Sequence, residues 1–224
     1  MIVTIDGPAG TGKSSVAKTL AERLGFEFLN TGAMYRAVAY ACLDKRIDVD
    51  DRRAAAETMA NLEIRFANNR LLLAGDDVTD QLHRRDVTSV VSFVPQNPEV
   101  RSRLVGLQRG VGRRVNLVTE GRDQGTIVFP DAEFKFFLTA TKEERARRRQ
   151  RQLHDLGNMV SIWDLIDQQE VRDRRHEARA CAPLRPAQDA QIIDTTEMSL
   201  SAVVDLLDEQ VAAGRREFGA CQYH

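Results

Sequence analysis

Residues Ile2-Val3-Thr4-Ile5-Asp6-Gly7-Pro8-Ala9-Gly10-Thr11-Gly12-Lys13-Ser14-Ser15 carry a short apolar run straight into G-x-x-x-x-G-K-S and then into helical periodicity. This is a phosphate-binding loop in its expected setting. Glycines let backbone N–H groups converge on polyphosphate oxygens, Lys13 adds a point charge, and Ser14 offers a hydroxyl to Mg²⁺. The N-terminus of the following helix favours anions.

Outward from the loop, Val16, Ala17, Leu20, Ala21 and Leu24 recur at helical spacing, with Gly25 placed as a stop. The pattern then predicts a strand over 26–29, a turn at 30–32, a helix carrying Met34, Val38 and Cys42, and a second helix over 52–61. Alternation at Leu62, Ile64 and Phe66, a turn at Asn68-Asn69 and a return at 71–73 predict a hairpin inserted into a strand–helix repeat. Helices are expected over 86–94, ending before Pro95, and from Pro98 onward. A buried strand over 116–119 ends in Glu120-Gly121-Arg122-Asp123, and another covers 134–138. Thr141 with Glu144 forms a capping box for an Arg-rich helix running towards Gly157. A helix over 161–180, a strand over 191–193 and a closing helix over 199–214 complete the pattern, leaving the tail from Arg215 without an evident task.

Apolar strands alternating with helices imply an α/β fold, with a parallel central sheet flanked by helices and a ligand site at the strands' C-terminal ends. Lys13, Thr31, Arg122 and Asp123 all lie just past strands and can share one crevice.

With 224 residues, 42% of them hydrophobic, the chain can bury a real core, and its length favours a single domain. The formal charge of −1, from 32 basic and 33 acidic residues, argues against a polyelectrolyte face for nucleic acid. Cys42, Cys181 and Cys221 make no C-x-x-C, and His83, His154, His176 and His224 show no metal-ligand spacing. Neither a long apolar span nor a signal-peptide pattern is present, so no membrane partner and a cytoplasmic location are expected.

Two helices are dense in arginine. Glu143, Glu144 and Glu170 stand four residues before Arg147, Arg148 and Arg174, a spacing that makes weak local ion pairs of about 0.3–0.5 kcal/mol. Arg145, Arg149, Arg172, Arg175 and Arg179 have no such carboxylate. Arg145 and Arg149 share one helix face, and Arg172, Arg175 and Arg179 another, which predicts stripes of uncompensated guanidinium groups closing on phosphate.

A guanine-reading N-K-x-D is absent from the sequence, which argues against a switch GTPase. Glu120 follows only Leu117-Val118-Thr119, short of the four apolar residues expected before a motor ATPase's acidic residue. A small-molecule phosphotransferase remains. Asn30-Thr31-Gly32-Ala33-Met34-Tyr35-Arg36-Ala37, Glu120-Gly121-Arg122-Asp123-Gln124-Gly125-Thr126, Phe129-Pro130-Asp131-Ala132-Glu133, and Arg172-Asp173 leading to Pro183-Leu184 follow one another in order. On these motifs, over residues 2–207, the chain resembles the bacterial-type cytidylate kinases. The resemblance implies the P-loop nucleoside monophosphate kinase fold with an inserted monophosphate-binding subdomain, over roughly 31–109 and including the hairpin near 62–74, and a mobile lid over roughly 146–172. It implies transfer of the ATP γ-phosphoryl to CMP or dCMP with Mg²⁺. By position, Gly7, Pro8, Ala9, Gly10, Thr11, Gly12, Lys13, Ser14 and Ser15 would hold the ATP phosphates. Thr31, Arg36 and Arg122 would hold the CMP phosphate, while Ser92, Arg101, Asp123 and Arg179 would contact cytosine. Asp123 and Ser92 can accept from the 4-amino group, where uracil presents an acceptor instead. Arg145, Arg149 and Arg172 join Lys13 and Arg122 as the expected catalytic cations, and a monomer would suffice. Two other readings stay open: a related kinase with another small acceptor, and a nucleotide-dependent binding protein without turnover.

The chain departs from the family pattern twice. Where the family has an Asp four residues after the Arg of its R-D motif, engaged in ribose recognition, His176 stands here. Either a weaker ribose contact or rescue by the neighbouring Asp173 or Glu177 is expected. Asn30 stands where Asp is common, which removes a carboxylate from the strand end nearest the metal.

Overall fold

The computed structural model describes residues 1–67, 70–155, 157–177 and 182–220. In chain order the elements are β1 (Ile2–Asp6), α1 (Lys13–Leu24), β2 (Glu27–Asn30), α2 (Thr31–Asp44), α3 (Arg52–Ala60), β3 (Ile64–Ala67), β4 (Arg70–Leu73) and β5 (Asp76–Asp77). They continue with α4 (Arg85–Val90), α5 (Pro98–Gly112), β6 (Leu117–Glu120), β7 (Phe134–Thr139), α6 (Lys142–Asp155), α7 (Ile162–Glu177), β8 (Gln191–Asp194) and α8 (Leu200–Ala220). The chain divides into two compact units, Met1–Leu29 with Val115–His224, and Asn30–Arg114.

The first unit is built on a five-stranded sheet in the order β2-β6-β1-β7-β8. β1 runs parallel to both neighbours, with Ile5 opposite Glu120 on one side and Phe136 on the other. Strands covered on both faces need apolar residues at successive positions, and Val3, Ile5, Val118, Phe136 and Leu138 are accordingly buried. They pack with Val16, Ala17 and Leu20 of α1 and Val203, Val204, Leu207 and Val211 of α8 into one core. Gly25 ends α1 in the left-handed conformation (φ 66°), its N–H returning to the last turn. Gly214, read as the end of the last helix, lies inside it: a Cβ there would come within 2.6 Å of the Phe134 ring. α8 thus runs on past the expected stop, and Arg215 lies 4.8 Å over the ring of Phe26.

The second unit carries the hairpin where alternation predicted it, with Ile64 opposite Leu73 and Arg65 opposite Leu72. Its Asn68-Asn69 turn lies outside the described residues. The two-residue strand β5, too short to leave a pattern, extends the pair to an antiparallel sheet β3-β4-β5. Ala37 and Ala41 of α2 pack on Leu71 and Leu73, with Val78 and Leu82 beside them. The helix expected over 86–94 is only the six-residue α4. A separate tight turn, Val94–Gln96, begins with Pro95 in its first positions, where a missing N–H costs nothing. α2 starts one residue after β2 and not after a turn: Asn30 caps it, Oδ1 accepting from Ala33 N at 2.9 Å. Asn caps a helix as well as Asp does, so the departure at Asn30 keeps the local structure.

Candidate active site

β1 delivers the phosphate loop. Directly after Asp6, Gly7 adopts φ +143°, and a Cβ there would collide with the carbonyl of Leu138 on β7. Lys13 opens α1 and is buried, its ammonium donating to Pro8 O at 2.6 Å and Thr11 Oγ1 at 3.4 Å. Ser14 and Ser15 beside it are exposed. Burial, then the nearby guanidinium groups of Arg122 and Arg172, push the Lys13 ammonium well below its ordinary pKa, against the pull of Glu120 and Asp6. Three cations from three segments of the first unit therefore converge: the loop lysine, Arg122 just past β6, and Arg172 on α7. The carboxylates of Glu120 and Asp6 stand beside this cluster.

The expectation that Arg145 is uncompensated is corrected. Arg145 on α6 is buried, pairs with Asp173 on α7 and donates to Ala9 O at 3.1 Å. Asp173 Oδ1 also accepts, at 3.5 Å, from Ala9 N. Gln169 Nε2 donates to Arg145 O at 3.3 Å. Gly10 (φ +82°) has no room for a side chain, since a Cβ would lie 3.0 Å from Arg145 Cβ. α6 and α7 thus clasp the crown of the loop. The carboxylate that balances Arg145 comes from the neighbouring helix and not from the position four residues back along α6.

Arg148 is likewise more than a helix-surface residue. Besides Glu144 at 3.2 Å it reaches Thr11 O at 3.2 Å and Thr195 Oγ1 at 2.9 Å, tying α6 to the loop and to the segment after β8. Glu144 is the centre of the α6 ion pairs. It takes Arg151 at 3.0 Å and Arg147 at 3.7 Å, the latter instead of the expected Glu143. Glu170 pairs with Lys142 at 2.9 Å, across helices. The capping box is half formed: Thr141 Oγ1 accepts from Glu144 N at 3.3 Å, while Thr141 N goes to Thr196 Oγ1. Arg149 is partly buried, with Gln152 Oε1 at 3.4 Å.

In the second unit, Thr31 is buried in the first turn of α2. One turn on, Arg36 donates to Leu82 O at 3.0 Å and Thr88 Oγ1 at 2.9 Å, so its fork is held in one direction. Arg101 on α5 is buried rather than facing solvent and donates to Tyr35 Oη at 3.3 Å. Ser92 is partly buried, its carbonyl accepting from Gln96. In the first unit, beyond the end of β6, Arg122 is partly buried and Asp123 is buried. Arg179 lies outside the described residues, as do Cys181, Cys221 and His224 and the side chains of Arg175 and His176.

Sequence reading passed over Asp6, which no spacing rule singled out. It is buried at the end of β1, and both carboxylate oxygens accept backbone N–H groups, from Gln124 at 2.9 Å and Gly125 at 2.7 Å. Burial and the nearby Asp123 carboxylate push its pKa up to about 7, against those two donors and Lys13.

Among the described residues no cluster of three or more His, Cys, Asp or Glu side chains could hold a metal. The exposed Ser14 hydroxyl at a phosphate loop is a donor set that fits Mg²⁺, which keeps several waters and takes substrate phosphates as ligands. No helix among those residues is long and apolar enough to cross a membrane.

A parallel sheet with a glycine-rich loop after its central strand, a buried lysine and converging arginines defines a P-loop phosphotransferase. Among solved structures, an uncharacterized protein from Eubacterium ventriosum shares the fold, with a TM-score of 0.53, 14% identity, and 95% of this chain and 98% of that one covered. The cytidylate kinase family model matches residues 3–213. The cytidylate kinase of Pelotomaculum thermopropionicum is 47% identical over 220 residues, covering 96% of this chain and 97% of its own. That of Rhodopirellula baltica is 44% identical over 199 residues, covering 89% and 87%. The chain belongs to the cytidylate kinase family and is a kinase.

Proposed function

We propose that this enzyme transfers the γ-phosphoryl of ATP to CMP or dCMP, giving CDP or dCDP and ADP, in pyrimidine nucleotide metabolism in the cytoplasm. The observation that carries the reading is the convergence of Lys13, Arg122 and Arg172 in the first unit, a cationic cluster next to the phosphate loop. Gly7 to Ser15 take the ATP phosphates. Thr31, Arg36, Arg122 and Arg172 take the CMP phosphate and sugar, His176 serving the ribose; Ser92, Arg101, Asp123 and Arg179 read cytosine. When bound at Ser14, Mg²⁺ supplies charge neutralisation on the donor phosphates.

The acceptor phosphate, with a second pKa of about 6, is largely dianionic at neutral pH, so no strong general base is needed. Catalysis is then positioning and charge neutralisation: Lys13, Arg122, Arg149 and Arg172 gather charge on the transferring group, and Arg145 holds the loop through Ala9. α6 and the segment to α7 act as a lid that excludes water, which would otherwise hydrolyse the ATP. One chain carries all of these residues, so a monomer suffices.

ADP release measured with ATP, Mg²⁺ and a panel of CMP, dCMP, UMP, AMP and shikimate tests the proposal. CMP or dCMP should lead. Asp123→Asn should narrow the preference for CMP over UMP, and Arg36→Ala should raise KM for CMP far more than for ATP. Equal use of UMP, or turnover with another acceptor alone, would overturn the reading.

A further inference from the structure

Asp6 carries a geometry that the reaction as outlined does not use. β1 and β6 stay in register up to Ile5 and Glu120, and Gly121 N–H still donates to Ile5 O at 3.1 Å. The chain then leaves the sheet through Arg122 and Asp123 and enters one wide helical turn, Gln124–Val128. Val128 N returns to Asp123 O at 3.2 Å and Phe129 N to Gln124 O at 2.7 Å. The opening amides of such a turn have no partner within it. The Asp6 carboxylate, 4% exposed, takes two of them, Oδ1 from Gln124 N and Oδ2 from Gly125 N. The same turn is fixed from two other sides. Thr119 Oγ1 donates to Gln124 Oε1 at 3.0 Å, and Gly125 lies so close to β1 that a Cβ would stand 2.9 Å from Thr4 Oγ1.

Arg122 and Asp123 are therefore a two-residue bridge with both ends pinned, by the β ladder at Gly121 and by a carboxylate at Gln124. We propose that Asp6 is a positioning residue for the acceptor: by holding the amides of Gln124 and Gly125 it sets where Arg122 and Asp123 meet CMP. This rests on the assignment of those two residues to CMP. Asp6 acts through backbone, which makes its effect a matter of place rather than of charge delivered to substrate. Asn cannot replace it, because an amide offers one acceptor and turns an NH₂ group towards the second N–H.

Steady-state kinetics of the full chain at pH 8, where the Asp6 carboxyl is ionised, test the inference. Asp6→Asn should raise KM for CMP by about tenfold or more, the worth of a charge-assisted hydrogen bond, and narrow the CMP-to-UMP preference. KM for ATP should stay within about twofold. Gly125→Ala, which leaves the carboxylate intact and pushes the turn off Thr4, should give the same split; it decides the matter if Asp6→Asn does not fold. A pure loss of stability with unchanged KM values, or equal rises in both KM values, would overturn the role. If Arg122→Ala raises KM for CMP while Asp6→Asn and Gly125→Ala do not, the CMP assignment stands and the positioning role falls. If Arg122→Ala also leaves that KM unchanged, the assignment fails and the inference with it.

Discussion

Replacing Asp173 by Asn keeps the side chain's shape and removes the charge against which Arg145 is buried. The two side chains are 9% and 11% exposed, so water screens little of the loss. Arg145 Nε finds no acceptor among the described residues, Ala9 O is a neutral partner, and Glu170 acts on Arg145 only through space while bonded to Lys142. Breaking a buried pair from one side costs about 3–5 kcal/mol, chiefly because the other charge stays buried. With the lower figure, and about 2–4 °C per kcal/mol for a chain of this size, Tm should fall by about 6–12 °C. The weak Ala9 N–H bond can pass to the Asn oxygen, so the loss belongs mainly to the ion pair. Urea unfolding of the wild type, Asp173→Asn, Arg145→Met and the double variant closes a cycle. A coupling above about 1.5 kcal/mol is expected, and costs that add to within about 0.5 kcal/mol would refute the buried-pair account. Because Arg145 and Asp173 both touch Ala9, the single variants should also raise KM for ATP.

Lys13→Ala should keep the fold and lower kcat by at least about a hundredfold, since a preorganised cation on the transferring group is lost; a variant with full turnover would remove Lys13 from catalysis. The Asp6 carboxyl, raised from 3.8 to about 7, implies a particular slope of stability with pH. Between those values the folded protein holds a proton that the unfolded chain has released, so this contribution is full below about pH 4 and is lost as pH rises to about 7. Its full span is on the order of 4 kcal/mol. Lys13 on α1 and Asp123 beyond β6 face the group, and Glu120, Arg122 and Arg172 act on Lys13 in turn. The difference in unfolding free energy between wild type and Asp6→Asn should therefore shrink as pH is raised from 4 to 7. A flat difference would contradict it.

The phosphate loop, the strand–helix order, the Gly25 stop and the hairpin were all legible in the sequence, because each depends on neighbours within a few residues: a turn that only glycine tolerates, a repeat of two or of 3.6. The resemblance to cytidylate kinases was equally legible, carried by short contiguous motifs. What tertiary structure alone decided is which charges meet. Four-residue spacing counted Arg145 as unpartnered, yet its carboxylate stands 28 residues on in another helix. The same rule gave Arg148 only to Glu144, although packing also brings it to Thr11 and Thr195. Gly214 reads as a helix end and is a point of close approach to Phe134. No local pattern marks Asp6, and only the fold lays it under the amides of Gln124 and Gly125, 118 and 119 residues away. Local chemistry shapes the elements; contacts distant in sequence exist only once the sheet and helices have packed, and no periodicity records them.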